Sequence, residues 1–476
     1  MDVKQQIEEV TALLESIVAD RGLLADLDPT MRERFLIASG RVSKPDMEAR
    51  RRLKRQIMKK EKTQKRKEDR ALQSRAEIRQ LRKNPIFRTP RCKGDPEVAR
   101  SALGELHEKQ VCYVCQNRYG KVHFFYDQMC LECGDFSYAK RQQTGDLTGR
   151  VALVTGARLK IGYQAAILLL RAGAEVICVT RFPVDAAARY AREVDFGEWG
   201  HRLRIHGIDL RHTPSVEALC EQIREEHTRL DFIINNACQT VRRPPAFYAH
   251  MMANERALGV GPDTLALVAS QRSAETHSSA AMSQVPLLDE DHLDPTSLFP
   301  VGQLDADLQQ VDLREMNSWR LRMADISTIE LLEVNLVNVV APFIINARLK
   351  PLMMAVPSAD KHIVNVSAME GQFYRTYKSD KHPHTNMAKA ALNMMTRTSA
   401  ADYVECGIHM NSVDTGWVTD EDPVVLAEMK REMHNFHPPL DIVDGAARIV
   451  DPIFDGLNTG KHQWGQFLKD YKPTDW

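Results

Sequence analysis

A strand, turn, helix and strand pattern between Gly149 and Pro183 constrains the fold of this chain more than any other feature of its sequence. Two short apolar runs flank an apolar helical pattern, and the three pieces are Val151–Val154, Ile161–Ala172 and Val176–Val179. Two parallel strands need this length when a helix connects them. Gly156 allows a sharp turn off the first strand, and Gly162 lets a ligand approach the free N–H groups where the helix begins, which is where phosphate binds. The pattern predicts a nucleotide site in an α/β domain, although tight turns alone also select glycine.

Further short motifs follow this loop along the chain. They are Asp209-Leu210, Asn235-Asn236-Ala237, Val334-Asn335-Leu336, Ser367 after an apolar run, Lys389 in NMAKAAL, and NSVDTG at Asn411–Gly416. Together with the Thr155–Gly162 loop, the series resembles the short-chain dehydrogenase/reductase family from about Asp146 to the C-terminus. The resemblance implies a doubly wound, Rossmann-like α/β fold with a parallel sheet of about seven strands and helices on both faces. Ligand is then expected at the carboxyl ends of the strands.

The resemblance also implies which residues bind a dinucleotide. They are Thr155, Gly156, Arg158, Lys160, Ile161, Gly162, Arg181, Asp209, Leu210, Asn236, Ala237, Lys389 and Gly416. Lys160 stands where the family has its middle glycine, so it brings a positive charge towards the phosphates. Relatives that prefer NAD tend to carry an acidic residue near the position of Arg181, whereas a guanidinium can pair with the 2′-phosphate of NADP. We therefore expect NADP, and NAD less.

The resemblance assigns the chemistry to an asparagine, a serine, a tyrosine and a lysine, with the tyrosine exchanging a proton with the substrate oxygen. Asn335, Ser367 and Lys389 occupy three of these positions. The fourth, four residues before the lysine, is Thr385, whose hydroxyl is a far weaker acid than a phenol. The loop before it is longer than in relatives and contains other candidate proton donors: Tyr374, Tyr377, His382 and His384. We therefore retain both Thr385 and Tyr377 as catalytic candidates.

Four cysteines form two closely spaced pairs, Cys112-Tyr113-Val114-Cys115 and Cys130-Leu131-Glu132-Cys133, with fourteen residues between the pairs. Two such knuckles can supply four thiolates in a tetrahedron, which is the geometry of a structural zinc site. Disulfides are the alternative, but they fit an intracellular protein poorly, and the chain has nine cysteines. We predict one closed zinc site, with His123 as a packing or surface residue rather than a ligand.

The segment Arg50–Lys83 carries 16 Lys/Arg against 4 Asp/Glu, although the formal net charge of the whole chain is zero. Lys59–Arg70 contains no apolar residue, so it must project into solvent or contact something acidic. Two interpretations stay open, a solvated charged helix and a surface that binds nucleic acid or an acidic protein partner. The lack of aromatic residues in this run argues against base stacking.

These features divide the chain into four predicted parts. They are an N-terminal helical segment at 1–45, a basic helical arm at 46–100, a four-cysteine zinc module at 105–145 and the Rossmann-like domain at 146–476. The domain is interrupted at about 240–325 by an insertion, which is either a lid over the site or a surface decoration. In the first part an apolar stripe predicts a helix that docks on its own chain or forms a dimerising coil: Ile7, Val10, Leu14, Ile17 and Leu24.

The sequence shows neither the layout of a signal peptide nor an apolar run that we expect to span a bilayer. We expect a cytoplasmic or nuclear protein that forms a homo-oligomer without membrane contact. Two functions remain open. The first is an atypical NADP-dependent oxidoreductase acting on a carbonyl or alcohol substrate, which Ser367 and Lys389 favour. The second is an inactive dinucleotide-binding sensor or scaffold, which Thr385 and the extra N-terminal parts favour.

Overall fold

The computed structural model describes residues 2–90, 102–256, 261–269, 278–292, 297–374, 378–434 and 436–476. The chain forms two compact units, Met1–Asp69 and Arg70–Trp476. The boundary falls within the predicted basic arm, and the four cysteines of the two pairs belong to the second unit together with the Rossmann-like domain.

The first unit is helical. It contains α1 Val3–Ala19, a 3-10 turn at Arg21–Leu24, α2 Pro29–Ser43 and the larger part of α3 Met47–Gln73. The side chain of Asp2 caps α1, and the side chain of Asp28 accepts hydrogen bonds from the first turn of α2, where Pro29 fits the open N-terminal position. The predicted stripe of α1 is largely exposed, because Ile7 is 60% exposed and no residue of this helix is buried.

The second unit begins with a small element that we call the four-cysteine module, residues 104–142. It consists of the antiparallel strands β1 Gly104–Val111 and β2 Arg118–Val122, followed by α5 Leu131–Gln142. The short helix α4 Glu77–Leu81 precedes it. Cys112 and Cys115 lie in the turn between the strands, while Cys130 and Cys133 lie at the start of α5.

An eight-stranded sheet forms the centre of the second unit. In chain order its strands are β3 Val151–Thr155, β4 Glu175–Thr180, β5 Leu203–Gly207, β6 Phe232–Asn235, β7 Lys361–Ser367, β8 Ile408–Asp414, β9 Phe467–Lys469 and β10 Lys472–Thr474. Their spatial order is β10-β9-β8-β7-β6-β3-β4-β5. Strands β3 to β9 pair in parallel, and β10 pairs antiparallel with β9. The predicted doubly wound α/β fold is therefore confirmed.

Helices connect these strands. They are α6 Lys160–Arg171, α7 Pro183–Ala191, α8 Phe196–Trp199, α9 Thr213–Glu226, α10 Pro245–Glu255, α11 Pro262–Leu265, α12 Ser279–Met282, α13 Thr328–Asn335, α14 Ala341–Met354, α15 Pro383–Val404, α16 Val424–His434 and α17 Ile442–Thr459. A π-helical turn at Leu336–Val340 joins α13 to α14, and 3-10 turns lie at Gly200–Arg202, Asp289–His292, Met323–Asp325 and Met369–Gly371.

Strand β3 shows how the sheet separates two apolar cores. Ala152 and Val154 join the core that contains residues of α6 and α17, whereas Val151 and Leu153 join the core that contains residues of α9 and α14. Alternate side chains of a strand point to opposite faces, and helices cover both faces here, so every residue of β3 is buried. The order of the strands reverses at β3, which pairs with β4 on one side and β6 on the other, and this opens a crevice at their carboxyl ends.

One helical stretch, Thr328–Met354, is long and apolar enough to cross a membrane by length and composition alone, with a mean hydropathy of 1.7. Ala341, Ile345 and Leu349 of this stretch are fully buried in the core beneath the sheet. A helix that covers a parallel sheet needs the same apolar composition as a membrane span, because it too is removed from water.

Candidate functional site

A cavity of about 430 Å³ lies at the carboxyl ends of β3, β4, β6 and β7. This volume is within the range of about 300–1,000 Å³ found for small-molecule sites. Ten of the predicted cofactor-binding residues line it: Gly156, Arg158, Lys160, Ile161, Gly162, Arg181, Asp209, Leu210, Asn236 and Ala237. Lys389 lines it as well, whereas Thr155 and Gly416 lie outside the lining.

Two glycines shape the phosphate end of the cavity. Gly156 has a left-handed φ of +68°, and a Cβ at this position would lie 2.8 Å from the Cα of Ala237. A Cβ at Gly162 would clash with the Nδ2 of Asn236 and with the carbonyl oxygen of Gly156. The same Nδ2 donates hydrogen bonds to the carbonyl oxygens of Thr155 and Gly156, at 3.1 and 3.2 Å. The turn and the helix start are thus held together by Asn236 at a distance that only glycine permits.

Positive side chains surround this turn. Lys160 has a left-handed φ of +55°, which is the conformation expected of the glycine that it replaces, and its Nζ lies 4.0 Å from a carboxylate oxygen of Asp307. Arg158 is 7% exposed and donates to Asp185 at 2.8 Å. Arg181 donates to the hydroxyl of Tyr248 at 2.8 Å, and its guanidinium lies 4.8 Å from the centre of that ring. Three cations therefore border the half of the cavity where the dinucleotide phosphates are predicted.

The carboxylate of Asp209 is already bound within the chain. Arg211 donates to both of its oxygens, at 2.7 to 3.1 Å, and reaches Glu333 with its other guanidinium nitrogen at 2.6 Å. Burial disfavours the charged carboxylate, but the hydrogen bonds from Arg211 prevail and lower the pKa of Asp209 below its ordinary value. Asp209 thus remains ionised where it lines the cavity.

Two of the predicted catalytic residues lie on one wall of the cavity. Ser367 ends β7, is 2% exposed, and has an Oγ without a hydrogen-bond partner among the described residues. Lys389, on α15, is 4% exposed and donates from its Nζ to the carbonyl oxygen of Val366 at 2.8 Å. The lysine is therefore tied to the strand end that carries the serine. An ammonium has three donors, so two remain for other groups.

Asn335 and Thr385, which are also predicted catalytic residues, do not line the cavity. Asn335 donates from its side chain to the carbonyl oxygen of Leu331 at 2.8 Å, just before the π-helical turn. Thr385 is 1% exposed, and its Oγ1 also has no partner in the described part of the chain. Tyr377 lies outside the described residues.

The remaining loop donors have distinct surroundings. Tyr374 is 87% exposed. His382 stacks on Trp319 with ring centroids 3.9 Å apart, and burial lowers its pKa. His384 is 1% exposed and places its Nε2 3.5 Å from a carboxylate oxygen of Glu330. None of these three residues borders the cavity in this structure.

Sequence reasoning missed several residues that border the cavity. They are Cys238, Gln239, Thr240, Phe247, Tyr248, Gln309, Thr419 and Glu421. Asn338 fixes the backbone of Gln239, because its Oδ1 accepts from the Gln239 N–H at 2.8 Å and its Nδ2 donates to the Gln239 carbonyl at 3.2 Å. Only Cys238 carried a sequence signal, since it stands where the family's Asn-Asn-Ala motif ends in glycine. Thr240, Phe247, Tyr248 and Gln309 belong to the predicted insertion, so this segment contributes to the lining of the cavity.

The four cysteines converge in the four-cysteine module. One ligand atom from each of Cys112, Cys115, Cys130 and Cys133 lies within 4.8 Å of the others, and the sulfurs of Cys115 and Cys130 are 3.8 Å apart. Tetrahedral zinc with Zn–S bonds of about 2.3 Å places its sulfurs about 3.8 Å apart, so the arrangement fits such an ion. The Nδ1 of His123 accepts from the N–H groups of Phe125 and Tyr126, at 3.0 and 3.1 Å. The histidine therefore holds a turn through its Nδ1.

Comparisons with known proteins agree with this geometry. Residues 150–255 match the family model described as short chain dehydrogenase, and residues 314–438 match the model described as Enoyl-(Acyl carrier protein) reductase. The four-cysteine module and much of the insertion lie outside both matches.

An uncharacterized protein of Acanthamoeba polyphaga mimivirus is 31% identical over 376 residues, which cover 75% of this chain and 74% of that protein. Retinol dehydrogenase 14 of Mus musculus is 36% identical over 111 residues, which cover 21% of this chain and 33% of that protein. A crystal structure of a short chain dehydrogenase from Burkholderia cenocepacia in complex with NADP is 17% identical, with a TM-score of 0.44, and covers 68% of this chain and 97% of the solved chain.

Proposed function

The chain belongs to the short-chain dehydrogenase/reductase family, and we propose that it is an NADP-dependent oxidoreductase that interconverts a carbonyl compound and an alcohol. The observation that carries this proposal is the presence of Ser367 and Lys389 on a wall of the cavity that also contains the glycine turn. A buried hydroxyl without a partner in the described chain is available to a ligand. The combination of Ser367 and Lys389 favours a catalytic site over a site that only binds a dinucleotide.

The residues at the phosphate end fit a dinucleotide. Gly156 and Gly162 leave space that a side chain would fill, and the first N–H groups of α6 face that space without helical partners. Arg158 and Lys160 supply positive charge beside the turn. Arg181 follows β4, so it is our candidate for the 2′-phosphate that separates NADP from NAD. When bound, NADP would supply or accept the hydride.

The chain's own residues would orient the substrate and move a proton. Ser367 would donate its hydroxyl hydrogen to the substrate oxygen. Lys389 would keep its ammonium near the same strand end, where a positive charge favours ionisation of a neighbouring acid. We assign the proton donor to the loop before α15, with Tyr377 as the first candidate because a phenol is a better acid than the hydroxyl of Thr385.

We further propose that Cys112, Cys115, Cys130 and Cys133 bind one structural zinc ion. Four thiolates leave no open coordination position, so the ion would stabilise the module and take no part in hydride transfer. Purified protein should contain about one zinc per chain by atomic spectroscopy. Cys130→Ser should lose the zinc, whereas the control Cys406→Ser, outside the cluster, should retain it. Full zinc occupancy in Cys130→Ser would contradict the assignment.

The oxidoreductase proposal is tested by two measurements on the same protein. Calorimetric titration with NADPH measures binding, and NADPH oxidation with a panel of aldehydes and ketones measures turnover. Wild type should bind and turn over, and Ser367→Ala should bind NADPH equally well while its kcat falls. Tight NADPH binding without turnover on any carbonyl would instead support the inactive sensor. A protein that binds no dinucleotide would contradict both functions.

A further inference from the structure

We propose that the four-cysteine module positions the part of the cavity wall formed by Thr419 and Glu421, and that Tyr113 is the positioning residue. This inference rests on the proposed function for its effect on NADP, although the contact itself is independent of it. The backbone N–H of Trp417 donates to the hydroxyl oxygen of Tyr113 at 2.9 Å. Tyr113 stands directly after Cys112 in the first cysteine knuckle.

The chain reaches the cavity just after Trp417, and Leu440 lies against Trp417 again. Thr419 and Glu421 line the cavity and are joined by a hydrogen bond of 2.7 Å between the threonine hydroxyl and the carboxylate. The N–H of Leu440 donates to the carbonyl oxygen of Trp417 at 3.3 Å, which closes the base of the excursion. Contacts that hold Trp417 and Leu440 in place therefore also help to position Thr419 and Glu421.

Side chains at or beside the module hold both ends of that base. Tyr113 holds the outgoing end at Trp417. Gln128, from the turn before the second cysteine pair, donates from its Nε2 to the carbonyl oxygen of His437 at 2.8 Å. Arg82 donates to the carbonyl oxygen of Leu440 at 2.7 Å. The backbone N–H of Tyr113 donates in turn to the carbonyl of Gln128 at 2.9 Å, so the first two holding residues are themselves connected.

The approach of module and wall is close enough to select glycine. Gly416 has a φ of +76°, and a Cβ there would lie 3.1 Å from the Tyr113 hydroxyl and would clash with the side chain of Leu440. Val418, Leu440, Ile442 and Val443 also share an apolar core with Cys112, Tyr119, Tyr126 and other module residues. Ile161, at the start of α6 in the predicted phosphate site, packs against that core.

The cysteine cluster adjoins the contact between Tyr113 and Trp417, because Cys112 directly precedes Tyr113 in the chain. The Sγ of Cys112 accepts from the N–H of Cys130 at 3.4 Å, which ties the two knuckles together across the cluster. A metal bound by the four thiolates would fix the backbone on both sides of Tyr113. Removal of that metal is therefore expected to loosen the Tyr113 contact with Trp417 and, through it, Thr419 and Glu421.

The test compares Tyr113→Phe with Tyr119→Phe in the full chain. Tyr119 donates its hydroxyl to the carbonyl of Asp127 at 2.6 Å inside the module and does not hold the wall, so it controls for loss of one buried hydroxyl. Both variants should retain zinc. In Tyr113→Phe, hydrogen exchange at the Trp417 amide and in residues 417–422 should accelerate, and the Kd for NADPH or the KM for the carbonyl should rise about 2- to 12-fold with little change in kcat.

Three outcomes decide the proposal. Faster exchange in 417–422 for Tyr113→Phe alone, reproduced in wild type by zinc chelation, supports it. Equal exchange in Tyr113→Phe and wild type overturns it, and so does an equal effect of the two variants on exchange and on Kd or KM. If wild type binds no NADPH, the proposed function fails, but the exchange measurement still decides whether Tyr113 holds the wall.

Discussion

The guanidinium of Arg181 and the hydroxyl of Tyr248 are joined by a hydrogen bond of 2.8 Å across the cavity, from the end of β4 to helix α10. Tyr248 lies 67 residues further along the chain, in the predicted insertion, and it holds the residue that we expect to recognise the 2′-phosphate. Tyrosine binds only one of the guanidinium's donors, and Arg has five. The arginine is thereby oriented and still able to bind a phosphate.

Arg181→Ala should weaken NADP much more than NAD. A charge-assisted hydrogen bond contributes about 1.5–3 kcal/mol, which corresponds to a roughly 10- to 150-fold rise in Kd for NADP. Calorimetry with both nucleotides measures this difference. Tyr248→Phe is the control, because it keeps the ring beside the guanidinium and removes only the hydroxyl. Equal losses for NADP and NAD in Arg181→Ala would show that this arginine does not read the 2′-phosphate.

The free energy of unfolding should decrease as the pH falls below about 6.5, because a histidine cluster lies at the other end of the sheet. The Nε2 of His362 and the Nδ1 of His462 are 3.0 Å apart, and the rings of His409 and His462 stack at 4.6 Å. Burial lowers the pKa of His362 well below its ordinary value, and burial also lowers the pKa of His409 and of His462. The unfolded chain, with histidines near pKa 6.5, therefore binds protons first as pH decreases.

The sign follows from linkage. The contribution of these histidines is fully present above about pH 6.5 and is lost as pH falls from there towards the lower folded pKa values. His462→Asn should flatten the decrease in the melting temperature between pH 8 and pH 5, whereas His201→Asn, at an exposed position, should not. A decrease of the same size in wild type and His462→Asn would contradict the assignment.

The two interpretations of the basic helix α3, a solvated helix and a surface that binds nucleic acid, are separated by the salt dependence of binding. Residues 50–68 are exposed, and Lys59–Arg70 offers no apolar side chain for docking. Affinity for duplex DNA or RNA should decrease steeply with added salt, because phosphate contacts release counterions. Replacement of Lys59, Lys60 and Lys62 by Glu should abolish binding at low salt, while the same change at exposed Lys109, Lys121 and Lys461 should not. Wild type that binds no nucleic acid in low salt would leave α3 as a solvated helix.

Thr385→Tyr tests where the proton comes from. The new phenol would lie one helical turn before Lys389, whose charge favours the phenolate. Because we place the donor in the preceding loop, the added ring should crowd a buried position and lower an existing carbonyl reductase activity, whereas Tyr377→Phe should abolish that activity. Thr385→Ser is the matched control for the site. A rise in activity of about 10²-fold or more in Thr385→Tyr would show instead that the natural chain lacks a working acid.

The sequence predicted the sheet and the phosphate turn because both depend on local patterns. A parallel strand that is covered on both faces reads as an apolar run, as Val151–Val154 does, and the spacing of Gly156 and Gly162 carries the turn. The cysteine cluster was equally predictable, since four ligands at fixed spacing define their own neighbourhood.

Contacts between distant segments could not be predicted in the same way. Nothing near Arg181 or Tyr113 in the chain indicates that they meet Tyr248 and Trp417, because these pairs form only when the insertion and the module pack on the domain. Composition alone also does not distinguish a core helix from a membrane span, as the stretch Thr328–Met354 illustrates. Thr385 was found by its motif, but its burial away from the cavity was not predicted.

Hydride transfer itself is the most direct test of the central claim. NADPH in which both hydrogens of the reactive nicotinamide carbon are replaced by deuterium should be incubated with wild-type protein and the best carbonyl of the panel, and the alcohol product should be analysed by mass spectrometry. We predict that the alcohol gains one deuterium on the former carbonyl carbon. With unlabelled NADPH in heavy water, that carbon should gain no deuterium. Ser367→Ala should slow the transfer. A product without deuterium, or no alcohol from any carbonyl despite tight NADPH binding, would contradict the assignment as an oxidoreductase.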